Sequence, residues 1–357
     1  MRERSEIPAS VGDGLTSGTQ AGGASRCPPT SSPPLNLASH RLPPEIARQI
    51  FQSEILPAEF SHLPHHASSC TSPLAVLAVG QTGAGKTRLS PTILSAMRLV
   101  RHREGPAHLI ADTYKTYHPD YARLMLSTPH LASAATGPDA RKWLAMAAEE
   151  VTRRSIDVLV ESACRHPDDF GDLVRIFSKA GYRVEVVLLA VPAPLSRLGI
   201  LVRYYEKLPE GQSGHLPVRL TPERIHDDSY GGLVDAARFL DRTRLADQVL
   251  IVRRGNMVAH GFAKAQMDAL GIAETLERER ERPLTREEMK NALDDLARLG
   301  TLEHAYDQVA LVRDMLGPMI VEGKGRYGDE QRAAWPELLP LAFGKGAETT
   351  HNVLRLG

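Results

Sequence analysis

One stretch decides which folds are open to this chain. Leu74–Val79 are six apolar residues, and Gly80-Gln81-Thr82-Gly83-Ala84-Gly85-Lys86-Thr87 follow at once. The octapeptide has the form G-x-x-x-x-G-K-[ST], the phosphate loop that joins a buried strand to a helix. Its glycines let the backbone bend around a phosphate with N–H groups turned inward. The helix that follows, starting near Lys86, aims its positive end at the same anion. Lys86 supplies a point charge for the β- and γ-phosphates, and the Thr87 hydroxyl is a magnesium ligand. Arg88–Val100 is compatible with the required helix, and Pro91 falls close enough to its start to be tolerated. The residues Gly80 to Thr87 are therefore expected to bind a nucleoside triphosphate.

Composition narrows the class further. The 357 residues suffice for one large domain or two ordinary ones. A hydrophobic content of 42% and a charged content of 24% are those of a soluble globular protein. Basic and acidic residues balance at 43 each, so neither a nucleic-acid surface nor a membrane surface is expected. Cys27, Cys70 and Cys164 are odd in number and lack C-x-x-C spacing, which argues against a disulfide framework or zinc and for a reducing cytoplasm. No apolar run approaches a membrane span, and MRERSEIPASVGDG lacks the apolar core of a signal peptide.

In chain order, residues 1–39 are rich in Ser, Gly, Pro and Thr and read as a disordered arm. Pro43 and Pro44 suit a helix start, with Ile46, Ile50, Phe51 and Ile55 at helical spacing and Pro57 as the stop. After the phosphate loop and its helix, strands are expected at His108–Ala111, Ile156–Val160, Val184–Val191 and Val249–Val252. Helices are expected at Tyr121–Leu126, Pro138–Val151, Phe170–Ala180, Leu195–Tyr205 and Ser229–Leu240, with a loop over Leu208–Pro222 and a turn at Arg254-Gly255-Asn256. Strands alternating with helices signify a parallel sheet covered on both faces. Beyond it, Thr285 and Glu288 form a capping box for one helix, and a second runs from about Leu302 to Leu316. The charged run Glu277–Arg282 reads as a solvated helix face. The expectation is a three-layer α/β P-loop kinase fold with a mostly parallel sheet and a helical C-terminal extension. Its parts are an arm over 1–39, a kinase domain over 40–265 and the extension over 266–357.

Ligands of such sheets sit beyond the carboxyl ends of the strands. Asp112 follows the second strand and Glu161 the third. Phosphoryl transfer needs a carboxylate to orient and deprotonate the acceptor hydroxyl, and Asp112 is placed for it, though an Asp there serves equally as a helix N-cap. Glu161 is either a ligand to the magnesium shell or acceptor hydroxyls, or a solvated strand end. Arg203 and Arg219 lie on and after the Leu195–Tyr205 helix, where arginines of a lid can stabilise charge on the transferred group; either could also be an ordinary surface residue.

These residues bring a family into view. From about Leu42 to His260 the chain resembles the zeta toxins, P-loop kinases of bacterial epsilon–zeta toxin–antitoxin systems. The resemblance rests on VGQTGAGKT, ADTYKTYHPDY, TGPDARKW, VLVESACR, LGILVRYYE and VRLTPERIHDD. It implies Lys86 and Thr87 on ATP–Mg²⁺, Asp112 as the base, Glu161 and Arg165 at the acceptor, and Arg203 and Arg219 around the phosphates. It also implies phosphorylation of the 3′-hydroxyl on the amino sugar of UDP-N-acetylglucosamine, and an antitoxin that blocks the ATP site. The chain departs from the family pattern at Ile110, in place of the first Asp of D-x-D, and at Ser162-Ala163, in place of Gly-Thr. Another hydroxylated acceptor, such as an antibiotic, or an ATP-dependent switch without transfer are the alternatives.

Overall fold

The computed structural model describes residues 37–63, 72–101, 105–213, 220–264, 271–320, 335–344 and 351–356, with only the backbone at 167, 208–213 and 320. The arm expected over 1–39 lies outside the described residues as far as 36, and Leu37–His40 is a 3₁₀ turn. From Leu37 onward the chain packs as one compact unit.

Short apolar runs become the strands β1 (Leu74–Val79), β2 (Ala107–Ile110), β3 (Val158–Ser162), β4 (Arg183–Leu189), β5 (Gln248–Arg253), β6 (Met257–Ala263) and β7 (Leu339–Pro340). They form one sheet in the order β2-β3-β1-β4-β5-β6-β7. Pairing is parallel from β2 to β5 and antiparallel at β6 and β7. β1 is the middle one of the five parallel strands, between β3 and β4, and all six of its residues are buried. Ala75, Leu77 and Val79 enter one core, while Leu74, Val76 and Ala78 enter the other. Side chains alternate across a strand, so a continuous apolar run is what a strand covered on both faces requires.

The helices are α1 (Pro44–Ile50), α2 (Leu56–Phe60), α3 (Lys86–Arg101), α4 (Ala111–Tyr114), α5 (Tyr121–Ser127), α6 (Pro129–Arg154), α7 (Pro167–Lys179), α8 (Ala193–Ser213), α9 (Glu223–Thr243), α10 (Ile272–Glu281), α11 (Arg286–Leu299) and α12 (Tyr306–Ile320). One core gathers side chains of α1, α6, α7, α9 and α10, the other those of α3, α8, α11 and α12. This is the expected three-layer α/β arrangement with a mostly parallel sheet. The C-terminal region is helical and adds short strands: β7 on the main sheet, and the pair β8 (Ala342–Gly344) and β9 (Val353–Arg355).

Several boundaries differ from the sequence reading. Pro57 does not stop the first helix, because a π-helical turn over Phe51–Ile55 intervenes and Pro57 falls in the first turn of α2. A first-turn proline forfeits no helical hydrogen bond. α6 begins at Pro129 and continues through Pro138, since Ala132 and Ala135 pack on Leu124 and Met125. α8 continues to Ser213, past the end expected at Tyr205. Arg254-Gly255-Asn256 is a hairpin turn into β6, an unexpected strand; Gly255 and Asn256 have φ of 75° and 58°. Gly and Asn are the residues that tolerate this left-handed backbone.

Thr285 and Glu288 make the expected reciprocal capping box at the start of α11. Glu288 also pairs with Arg253, at 2.7 Å, which ties the end of β5 to the C-terminal helices.

Candidate functional site

β1 and β3 end at one level, with Ala78 opposite Glu161 and Val79 opposite Ser162. The phosphate loop leaves the sheet there, its Gly80 N–H still bonded to the Ser162 carbonyl at 3.1 Å. The loop turns at Gly83, where φ is +82° and a Cβ would lie 2.0 Å from the Ser196 carbonyl oxygen. No other residue fits that position without moving α8. α3 starts at Lys86; in its first turn the N–H groups of Arg88 and Leu89 bond back to the Gly85 carbonyl, at 3.0 and 3.3 Å, and those of Lys86 and Thr87 have no partner within the helix. The Thr87 side chain is exposed at that turn.

The Lys86 ammonium donates to the carbonyls of Gly80, at 2.5 Å, and Gln81, at 3.3 Å. Burial pushes its pKa down, and the nearby Arg203 acts the same way, while the carboxylates of Glu161 and Asp112 oppose it. The two acids flanking the lysine differ. Glu161 is 8% exposed and lies within β3; the reading as a solvated strand end is therefore incorrect, because β3 continues to Ser162. Burial raises the Glu161 carboxyl, but hydrogen bonds from His108 and Ser90 outweigh it and hold the group below its ordinary value. Asp112 is the opposite case: its side chain is 82% exposed and meets Lys115 Nζ at 2.5 Å. Ile110 occupies the N-cap position of α4, with Asp112 inside its first turn, so Asp112 does not cap this helix.

Arg203 stands on the exposed side of α8, with Nη2 3.4 Å from the Thr221 hydroxyl. Arg165, in the loop after β3, has Nε 3.5 Å from an Asp228 carboxylate oxygen. Arg219 lies outside the described residues. Cys164 is a buried free thiol whose pKa burial pushes up to about 12, which leaves it protonated. Thus Lys86, Asp112, Glu161 and Arg203 share one electrostatic neighbourhood, and Arg165 engages α9.

Parts of two of the sequence motifs are structural. His118 of the ADTYKTYHPDY stretch and Asp139 of TGPDARKW approach to 3.5 Å with no side-chain exposure. Trp143 donates its indole N–H to the Ala47 carbonyl, at 2.8 Å, and anchors α1.

Sequence reasoning missed a set of residues behind the loop. The Gln81 side chain turns away from the phosphate side and is fully buried. Its amide nitrogen donates to the Val191 carbonyl, at 2.6 Å, and to the Ser196 hydroxyl, at 3.2 Å. Ser196 Oγ is 2.8 Å from His226 Nε2. Arg254 Nη2 donates to the carbonyls of Gly83 and Leu195, at 2.8 and 2.6 Å, clamping the loop to the start of α8. The charged run Glu277–Arg282 is not a solvated face throughout: Glu279 and Arg280 are 0% and 4% exposed. Their signal was present, because Ile272, Leu276 and Arg280 recur at i, i+4 and i+8 on one stripe of α10.

A strand–loop–helix phosphate cradle at the carboxyl edge of a mostly parallel sheet, with helices on both faces, defines a P-loop fold of the kinase type. The chain belongs to the zeta toxin family: the family model described as Zeta toxin matches residues 60–263. It is 24% identical over 230 residues to Toxin PezT of Streptococcus pneumoniae serotype 4 (strain ATCC BAA-334 / TIGR4), across 61% of this chain and 87% of the relative. A solved chain from the PezAT chromosomal toxin–antitoxin system of Streptococcus pneumoniae shares the fold, with a TM-score of 0.57 at 19% identity over 72% of this chain and 98% of that one.

Proposed function

We propose that this protein is an ATP-dependent kinase that phosphorylates the 3′-hydroxyl on the amino sugar of UDP-N-acetylglucosamine, acting as a zeta-type toxin. The observation that carries the reading is the phosphate loop with a half-buried Lys86 at the sheet edge where two carboxylates also stand, Glu161 in β3 and Asp112 just after β2, whose charges act on the lysine. A switch that only binds nucleotide needs the lysine but has no use for an exposed carboxylate at the same edge.

In this reading Lys86 and the loop N–H groups hold the triphosphate. Asp112 accepts the proton of the acceptor hydroxyl as that oxygen attacks the γ-phosphorus; the bond to the β–γ bridging oxygen breaks and ADP leaves. Arg203 and Arg219 meet the charge on the transferred group, and Glu161 and Arg165 orient the acceptor. Mg²⁺ takes oxygen ligands and keeps several waters, so it needs few protein donors. The exposed Thr87 hydroxyl in the first turn of α3 suits it, and among the described residues no cluster of three or more His, Cys, Asp or Glu offers a closed cage instead. When bound, the ion neutralises phosphate charge.

A second acceptor class, another hydroxylated small molecule such as an antibiotic, is favoured by one feature. Ser162-Ala163 replace the Gly-Thr of the family pattern, and the Ser162 hydroxyl accepts the Cys164 N–H at 3.1 Å. That hydroxyl is turned to its own loop. Family membership supports an antitoxin as a protein partner and the cytoplasm as the place of action; among the described residues no helix is long and apolar enough to cross a membrane. The test is a phosphotransfer screen of UDP-sugars and other hydroxylated acceptors with ATP, read by mass. A product 80 Da heavier than UDP-N-acetylglucosamine, roughly one phosphoryl group, is expected. ATP consumption independent of any acceptor would overturn the kinase reading.

A further inference from the structure

Five side chains close a ring behind the phosphate loop. Gln81 donates to Ser196 Oγ at 3.2 Å, and Ser196 Oγ lies 2.8 Å from His226 Nε2. The His226 ring stacks on Tyr230 with centroids 5.8 Å apart. The Arg280 guanidinium covers the Tyr230 ring at 3.7 Å from its centroid. Arg280 Nη2 then donates to Gln81 Oε1 at 3.3 Å and completes the circuit. Four of these residues lie within the stretch matched by the family; Arg280 lies beyond it.

Arg280 is an unusual residue to bury. Among the described residues it forms no ion pair, and its hydrogen bonds go to the Tyr230 carbonyl, at 2.9 Å, and to Gln81, both neutral. Burying a guanidinium without a carboxylate is costly, and the ring of Tyr230 offsets only part of that cost. Burial lowers its pKa to about 10, which still leaves it charged at neutral pH. The rest of α10 is built to seat it. Asp241 on α9 caps the start of the helix, accepting from the N–H groups of Ile272 and Ala273 at 2.7 and 3.0 Å. Arg278 and Arg282 on the far end lie 5.7 and 5.6 Å from the Trp335 ring.

We propose that Arg280 is a positioning residue of the phosphate loop: its fork, anchored through Nη1 on the Tyr230 carbonyl, holds the Gln81 amide oxygen through Nη2, and the fixed Gln81 sets the backbone that receives the triphosphate. The backbone carbonyl of the same Gln81 accepts a bond from Lys86, so an error in the side chain is passed directly to the lysine. Fixed in a region of low dielectric, the positive charge of Arg280 also lies behind the place where the polyanion binds. This inference rests on the ATP-binding reading above.

The experiment is calorimetric titration of the full chain with Mg–ATP, with melting temperature measured in parallel. Wild type, Arg280→Gln, Arg280→Lys, Gln81→Met and the double variant Arg280→Gln/Gln81→Met are compared. Arg154→Gln is the control, since Arg154 is an arginine as deeply buried, 4% exposed, bonded to the Phe60 carbonyl and paired with Glu150 away from the phosphate loop. Arg280→Gln is expected to weaken ATP binding about tenfold, the usual scale of one lost charge-assisted hydrogen bond. Arg280→Lys, which keeps the charge but not the fork, should fall between it and wild type. The double variant should bind no more weakly than the weaker single one. Arg154→Gln should lose melting temperature and keep its ATP affinity. ATP affinity within twofold of wild type in Arg280→Gln, or in Arg280→Lys should Arg280→Gln not fold, would overturn the proposal. So would additive losses in the double variant, or an equal loss in Arg154→Gln. Absence of ATP binding by the wild type would overturn the function proposed above, and it is seen without any variant.

Discussion

Nε2 of His108 lies 3.0 Å from Oε1 of Glu161, across the β2–β3 pair, and Glu161 stands opposite Ala78, two residues before the phosphate loop. The contact explains how a carboxylate can sit nearly buried in a strand and remain ionised. Desolvation favours the neutral acid, and hydrogen bonds to the charged form reverse that preference.

A carboxyl held below its ordinary value stabilises the fold above that value, here 4.5, and loses its contribution as pH falls through the depressed native value. Wild type is therefore expected to exceed Glu161→Gln in stability at neutral pH, by about 1.5–3 kcal/mol for hydrogen bonds to a charged group. The gap should close below pH 4.5. Melting temperature against pH for both proteins checks this; a gap independent of pH would show that Glu161 is neutral in the fold.

Lys86 presents the reverse balance. Burial disfavours its charged form, so Lys86→Met, which keeps most of the packing and removes the charge, should not lower the melting temperature. Transfer from ATP should be lost, because nothing else at the loop supplies that point charge. Near-normal turnover in Lys86→Met would mean that the loop does not serve a triphosphate.

Asp112→Asn should separate chemistry from architecture. The side chain is exposed and does not cap α4, so the variant should fold and bind ATP normally. Phosphorylation of the acceptor should fall by roughly 10²–10⁴-fold, the usual worth of a positioned general base. Unchanged phosphotransfer, measured with ATP binding in parallel, would remove Asp112 from the mechanism.

Arg203→Ala removes an exposed side chain whose charge is felt by Lys86. Turnover should fall by about two orders of magnitude, with a smaller change in ATP affinity, since the contact gains strength as charge develops on the transferred group. Equal losses in turnover and in ATP affinity would make it a ground-state phosphate ligand instead.

The phosphate loop, the alternation of strands and helices, the capping box of α11 and the acids Asp112 and Glu161 were all legible in the chain, because each is a local pattern. Periodicity and turn chemistry depend on neighbours a few residues away. Position along the chain also placed Asp112 and Glu161 at one sheet edge, since parallel strands carry their carboxyl ends together.

Which of those residues are buried, and what they touch, depended on contacts between distant segments. His108 meets Glu161 over 53 positions, and Arg280 meets Gln81 over 199. The sequence alone determined that this chain makes a P-loop, since one glycine-rich octapeptide after an apolar strand has few other uses. Only the tertiary structure decided that a charged run near the C-terminus turns inward. A helix stripe of Ile272, Leu276 and Arg280 states which side chains share a face, and the surface that face meets is supplied by Tyr230 and Gln81 from elsewhere in the chain.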